Sequence, residues 1–526
     1  LNGLEVTVVL GVAVLAGTVL ATRLHVAAPL VLLVIGLLLG LVPELREVEL
    51  PPDVVLLLFL PVMLFWESLT TSLRAIRRAF RGILIMSTLM VVATALGVAA
   101  LAHWMGMPWD AALVLGAAVA PPDATAVAAL GRTLPRRHFM ILKAESLTND
   151  GTALVVYAVA VGLAGGGHVT TIEVTEVVLR SYVGGILAGA VVAALGCAVM
   201  RWVRETLPLN LTLLIVPFAA YLLAESFEAS GVLAVVVAGL TIAYVSSHVS
   251  TPASRRQTEW TWPLGSYVLN AALFVLIGLE VQIVVHDAEL GHVARLLATI
   301  VVVWIGMLVV RFCFQTLTVM VIRLLDRRPS QRLRRTTARS RVVTAVAGFR
   351  GAVSLAIALS VPATLEDGSP FPGREDVVIV TAGVILLTLL VQGPLLPVVV
   401  RWANLPDDTS PQEERVLAER ELSKAAADAM DDLVEQLGTS DAAHERVRRE
   451  HAEHLASVDA HDPATERSLF AEPDDYARLR LALIERKRDA LWRLRAEGTV
   501  DDEVVREIRT RLDVEELRLT GIEPLE

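Results

Sequence analysis

The chain comprises 526 residues, 54% of them hydrophobic and 19% charged, with a mean hydropathy of +0.60; this excludes a soluble single-domain protein and points to a polytopic membrane protein with a polar appendage. The formal net charge of -10 averages over lipid and water environments and so singles out no partner; no nucleic-acid partner is expected. Cys197 and Cys313 both fall in apolar stretches, which argues against a structural disulfide or a thiolate metal site.

Apolar windows of about 20 residues, the length that crosses a hydrocarbon core of about 30 Å, recur over the first three-quarters of the chain. The first, residues 4–22, lacks a basic leader and a small-residue cleavage site, so a retained helix rather than a signal peptide is expected. Further windows follow at 28–43, 54–72, 83–104, 110–131, 139–164, 174–202, 209–228, 231–247, 264–286, 293–324, 341–365 and 375–403. The expected fold class is therefore an all-α polytopic membrane protein with about 13 transmembrane helices.

Arginines collect after alternate windows: Arg23; Arg74, Arg77, Arg78 and Arg81; Arg132, Arg136 and Arg137; Arg201 and Arg204; Arg255 and Arg256; then a dense run from Arg323 to Arg341. Because cytoplasmic loops collect Lys and Arg, this alternation places the N-terminus outside and the C-terminus inside the cell membrane, and it supports an odd number of spans. After Leu405 the composition turns charged and Ala-rich, with apolar residues at helical spacing in residues 412–437 and 476–497. Residues 1–405 are thus expected to form the transmembrane domain and residues 406–526 a C-terminal cytoplasmic helical domain, read as regulatory. His444, His451, His454 and His461 lack a companion ligand motif, so a solvated helix is preferred to a metal or pH site.

Four windows carry charges at lipid depth, where each costs about 2.5 to 3.5 kcal/mol on insertion scales. In the fifth, Pro121-Pro122 precede Asp123; two prolines remove two donors and clash with the preceding turn, so the helix should break just before Asp123. The sixth carries Glu145-Ser146-Leu147-Thr148-Asn149-Asp150. Ser146 and Asp150 are four apart and share one face, while Glu145 and Asn149 share another, so the two carboxylates should do different work. The eleventh contains Arg311 at mid-depth, and Glu145 is its first-choice partner. In the twelfth, Gly348-Phe349-Arg350-Gly351 interrupts a helix at a buried charge, for which Glu67 is a looser partner. Lys143, nearer the end of its helix, is expected to snorkel toward the interface. The two interrupted windows are seven apart, an odd offset, so their helices should run in opposite directions, as in an inverted repeat whose broken helices cross at the site.

Together, Glu145-Ser-Leu-Thr-Asn-Asp150, Pro122-Asp123 and Phe349-Arg-Gly-Ala352 resemble the sodium/proton exchanger branch of the monovalent cation:proton antiporters, over roughly residues 4–405. The resemblance implies the antiporter fold, with a six-helix core moving against a dimerisation domain in a homodimer, and no enzymatic activity or cofactor. It implies that Asp150 binds the transported Na⁺ or H⁺, that Asn149 and Asp123 support it, that Ser146 is a ligand, and that Glu145 and Arg311 form a structural pair. Arg350 matches the arginine of the second broken helix. The chain departs from the pattern at Pro122, where a threonine is usual, with Thr125 the nearby hydroxyl assigned to the ion, and at Ala144, where glycine is usual. Asn149 beside Asp150, in place of two aspartates, implies electroneutral exchange.

The expected function is secondary active antiport of a monovalent cation, Na⁺ first with Li⁺ and K⁺ as further candidates, for H⁺ by alternating access, serving pH and sodium homeostasis. Desolvation disfavours an ionised carboxylate, so Asp150 should hold either a proton or a dehydrated cation, and that competition couples the two fluxes. A cation channel or uniporter, or a tail-based sensor on the same scaffold, are the alternatives.

Overall fold

The computed structural model describes residues 3–24, 26–46, 55–124, 127, 134–165, 171–203, 205–286, 290–325, 337–365, 368–405, 410–460 and 474–520. Among them the principal elements are helices: α1 (Gly3–Leu24), α2 (Ala28–Leu39), α3 (Leu60–Leu69, entered through a π-helical turn at Val55–Phe59), α4 (Leu73–Ser87), α5 (Leu89–Trp104), α6 (Trp109–Val119) and α7 (Arg136–Ala164). Next come α8 (Thr171–Leu179), which continues through Arg180–Gly184 into α9 (Gly185–Trp202), then α10 (Thr206–Glu225), α11 (Gly231–Val249), α12 (Pro252–His286) and α13 (Leu290–Leu325). The membrane part closes with α14 (Ala338–Val346), α15 (Ala352–Leu359), α16 (Arg374–Leu387) and α17 (Gly393–Ala403). Eight helices among the described residues are long and apolar enough to cross a membrane, and four more are apolar but shorter.

Two boundaries differ from the sequence expectation because charged helix ends keep their helical hydrogen bonds outside the apolar window, and a third ends early at a proline. The arginine run from Arg74 is the amphipathic helix α4, not a loop, and is separated from α5 by a break at Thr88. Helix α12 starts at Pro252, so Arg255 and Arg256 lie inside it instead of preceding it. The window at 341–365 holds two short helices, and the second stops at Leu359, before Pro362, which has no backbone N–H to continue it.

The helices pack in two groups. Helices α5, α6, α7, α13, α14, α15, α16 and α17 associate mainly with one another, as do α1, α2, α3, α9, α10, α11 and α12. Close approach is bought by small residues: a Cβ on Gly36 would lie 2.0 Å from the Val275 carbonyl oxygen and one on Gly278 2.1 Å from that of Leu33, so α2 and α12 meet backbone to backbone. Large apolar side chains such as Leu15, Leu187, Leu195, Ile215 and Leu317 point outward, as a lipid-facing surface requires.

Beyond Leu405 come α18 (Ser410–Asp428), α19 (Met430–Leu437), α20 (Asp441–Ala460), α21 (Asp474–Ala496) and α22 (Asp502–Thr520). Ala418, Leu422, Ile484, Leu491, Val505 and Ile508 form a core of their own between α18, α21 and α22. His451 is buried with its ring on the Ser423 carbonyl at 2.8 Å, so this histidine is not on a solvated face; His444 lies 3.4 Å from Asp431, and His454 and His461 lie outside the residues with described side chains.

Helix α22 docks on the membrane part. Arg255 at the start of α12 makes a two-point contact with Asp513, through Nε at 2.8 Å and Nη2 at 2.7 Å, with both side chains over nine-tenths buried. Ser72 Oγ and the Arg74 backbone N–H both donate to Asp502 Oδ2, at 3.2 and 3.1 Å. Burial alone would raise the Asp513 carboxyl, but the hydrogen bonds and charge of Arg255, with the charges of Arg488 and Arg509, outweigh it and hold Asp513 below its ordinary value. A depressed folded value means that this contribution to docking is complete above the ordinary aspartate value of about 3.9 and is lost as pH falls through the folded value. Amide protection of residues 502–520 in hydrogen–deuterium exchange is therefore expected to survive to about pH 4 and to drop below it. Asp513→Asn should lower that protection already at neutral pH, and unchanged protection in the variant would remove the pair from the docking account.

Candidate functional site

The site forms where two helices fail. Helix α6 ends at Val119, immediately before Ala120-Pro121-Pro122, because neither proline can donate to the preceding turn. Helix α14 ends at Val346, and residues 348–351 have no regular structure until α15 begins at Ala352. The two breaks touch: the Asp123 N–H donates to the Phe349 carbonyl at 2.8 Å. The C-terminal ends of α6 and α14 and the start of α15 thus meet inside the protein.

These helix ends are met by side chains of complementary charge. Arg350, 2% exposed, donates to the carbonyls of Val119 and Ala120 at the C-terminal end of α6, and to those of Gly348 and Phe349. A guanidinium is favoured there by the negative end of the helix dipole and by carbonyls that have no intrahelical donor. Asp123 approaches the other end: a Cβ on Gly351, the residue preceding α15, would fall 1.6 Å from Asp123 Oδ2. Only glycine leaves that volume to the carboxylate, which lies against the positive end of α15. The expectation of a Glu67 partner for Arg350 is therefore corrected; main-chain carbonyls freed by the broken helices do that work.

Helix α7 supplies the rest. Ser146 Oγ accepts from the Ala124 N–H at 3.2 Å, and Asn149 Nδ2 donates to the Pro122 carbonyl at 3.1 Å. Both residues thereby satisfy backbone groups that the break leaves without helical partners. Asp150 is 4% exposed, and Asp123 and Glu67 are the charges that act on it. On a neighbouring face Glu145 meets Arg311: Oε1 lies 2.9 Å from Nη1 and Oε2 accepts from Nη2 at 3.1 Å. Arg311 Nε also donates to the Thr344 carbonyl at 3.1 Å, so the pair ties α7, α13 and α14 together. Thr125 lies outside the described residues.

Two residues belong to this site in ways the sequence did not reveal. Glu67, on α3 of the other helix group, is buried and interacts electrostatically with Asp123, Asp150 and Lys143. Its Oε1 and the Oδ1 of Asn149 are buried without a hydrogen-bond partner among the described residues. Lys143 does not reach outward to an interface; its Nζ donates to Thr70 Oγ1 at 2.8 Å. The available signal for Glu67 was a lone carboxylate near the end of an apolar window, but which way it faces depends on how α3 is rotated.

The arrangement sets three carboxylates, Glu67, Asp123 and Asp150, in a low-dielectric interior beside open side-chain oxygens. Such a cluster cannot remain ionised and bare. Protonation is one way to relieve that charge. Among the described residues no group of three or more His, Cys, Asp or Glu has the geometry to hold a resident metal ion.

Residues 10–402 match the family described as sodium/hydrogen exchanger, transmembrane. A Na(+)/H(+) exchanger of Mycobacterium tuberculosis is 40% identical, across 98% of this chain and 96% of its own length. A sodium, potassium, lithium and rubidium/H(+) antiporter of Bacillus subtilis is 28% identical, over 71% of this chain and 58% of that protein. In fold, the chain is similar to the sodium proton antiporter MjNhaP1 of Methanocaldococcus jannaschii, with a TM-score of 0.59 at 17% identity, over 78% of this chain and 100% of that one.

Proposed function

This chain belongs to the sodium/hydrogen exchanger family, and from that premise we propose that it exchanges one monovalent cation, Na⁺ before Li⁺ or K⁺, for one proton, with Asp150 as the group for which the two ions compete. The observation that carries the assignment to this site is the convergence of buried Asp150, Asp123 and Glu67 at the crossing of the broken helices. A proton on Asp150 leaves the cluster with less charge to bury, whereas its loss leaves an anionic pocket whose need for a counter-charge a dehydrated cation meets. Each ion therefore leaves when the other binds, and neither gradient can dissipate alone.

Ser146 and the Oδ1 of Asn149 stand as oxygen ligands beside the carboxylates; Arg350 and the Glu145–Arg311 pair hold the crossing rigid while the site changes its charge. The group containing α5, α6, α7 and α13 to α17 carries Asp150 and Asp123, and the other group carries Glu67. Movement of the first group against the second would present Asp150 to either side of the membrane, which is alternating access. Asn149 adds no second carboxylate next to Asp150, which supports electroneutral exchange.

The proposal extends to a homodimer in the cell membrane, serving pH and sodium homeostasis, with the N-terminus outside. Residues 1–405 form the transporting domain and residues 406–526 a cytoplasmic regulatory domain. Transport needs no cofactor, because the two gradients supply the driving force. In reconstituted vesicles carrying an internal pH dye, a Na⁺ pulse should produce proton release with no membrane current. Conductive cation flux without proton movement would instead establish a channel, and current accompanying proton release would rule out the one-for-one ratio.

A further inference from the structure

Lys143 is not needed by the exchange chemistry just described, yet it is built into the same helix face. It precedes Ser146 by three residues and Asp150 by seven, so all three lie along one stripe of α7, with Lys143 two turns from Asp150 toward the docked tail. Its ammonium is held by Thr70, which ends α3 one turn after Glu67. The same threonine hydroxyl reaches back to the Glu67 carbonyl at 3.1 Å. From the other side, Arg506 of α22 donates to the Thr70 carbonyl at 2.8 Å. The charges acting on Lys143 are Glu67, Arg506 and Glu503, two of them on α22.

Resting on the transport reading above, we infer that Lys143 is a tethered counter-charge at the tail-side mouth of the ion path, held there by Arg506 of the docked α22 through Thr70. The ammonium shares Glu67 with the transported cation. It supplies positive charge when the site is empty and repels the cation as it enters, so it lowers cation affinity without touching the ion. The tail gains its influence on transport by holding Thr70, to which Lys143 is hydrogen-bonded. Lys143 is thus a positioning and specificity-determining residue rather than a ligand.

The test measures Na⁺-driven proton release by the full chain in reconstituted vesicles, and reads the apparent KM for Na⁺ separately from the maximal rate. Lys143→Gln is expected to lower KM about tenfold, as removal of a nearby unit charge in a partly screened interior should, and to move the maximal rate less. Lys143→Arg should restore the parental KM because the charge returns. Arg506→Gln should lower KM about threefold in the parent and add nothing in a Lys143→Gln background, because the tail acts through the lysine. An unchanged KM in Lys143→Gln overturns the inference, as does an Arg506→Gln effect that persists when Lys143 is gone. Should Lys143→Gln fail to fold, Lys143→Met carries the same neutrality at similar length. Asp150→Asn separates the two levels: if it transports like the parent, the transport reading itself falls, whereas a silent Asp150→Asn beside an unaltered Lys143→Gln sinks this inference alone.

Discussion

Asp150→Asn is expected to reduce Na⁺-driven proton release by about a hundredfold or more, while the purified protein melts at or above the parental temperature. An amide has nearly the shape of the carboxylate it replaces, so packing around residue 150, which is 4% exposed, is preserved. It neither takes up a proton near neutral pH nor neutralises a cation, so both halves of the competition disappear together. Stability should move the other way, because one fewer charge has to be buried beside Asp123 and Glu67. Melting curves and transport on the same preparation check both signs. Exchange within a few-fold of the parent would show that the coupling carboxylate lies elsewhere, with Glu67 and Asp123 next in line.

The second large effect concerns the Glu145–Arg311 pair, in which both side chains are at least 96% buried. Removing one partner leaves an unpaired charge in the interior, a loss of about 3 to 5 kcal/mol. Glu145→Ala leaves Arg311, among the described residues, with the Thr344 carbonyl named above, and Arg311→Ala strands a carboxylate close to the ion site. Each single variant should therefore express poorly or melt early. The double variant buries no orphaned charge and should recover part of the loss, so its cost should be smaller than the sum of the two. Thermal melts of the four proteins complete the cycle. A double variant that is no better than either single one would mean that packing around the side chains, rather than their charges, stabilises this region.

Much of the site could be read from local chemistry. Pro121-Pro122 broke α6 where the missing donors said it would, and the glycines around Phe349-Arg350 marked the second break. The four-residue spacing placed Ser146 toward the breaks and Glu145 toward Arg311, but Asn149, which shares Glu145's spacing, turns to the Pro122 carbonyl at the break. What remained hidden was every relation requiring a helix to be rotated and placed. An intramembrane arginine calls for an anion, which points to Glu67 for Arg350, but the broken helices provide carbonyls in its place. A position near a helix end predicts an outward-reaching Lys143, whereas its ammonium bonds to Thr70.

The sequence by itself determined the apolar helical spans, the two interruptions, the set of charges that must be buried and the change of character after Leu405. These depend on hydropathy, on proline and glycine backbone preferences, and on the desolvation of single side chains, all properties of a few neighbouring residues. Only the tertiary structure decided that Asp123 lies against Gly351, that Glu67 from one helix group acts electrostatically on Asp150 in the other, and that α22 reaches Thr70 through Arg506. Those contacts join residues up to 436 positions apart. Their energies depend on distance and on the local dielectric, which are fixed when the helices pack rather than when each one forms.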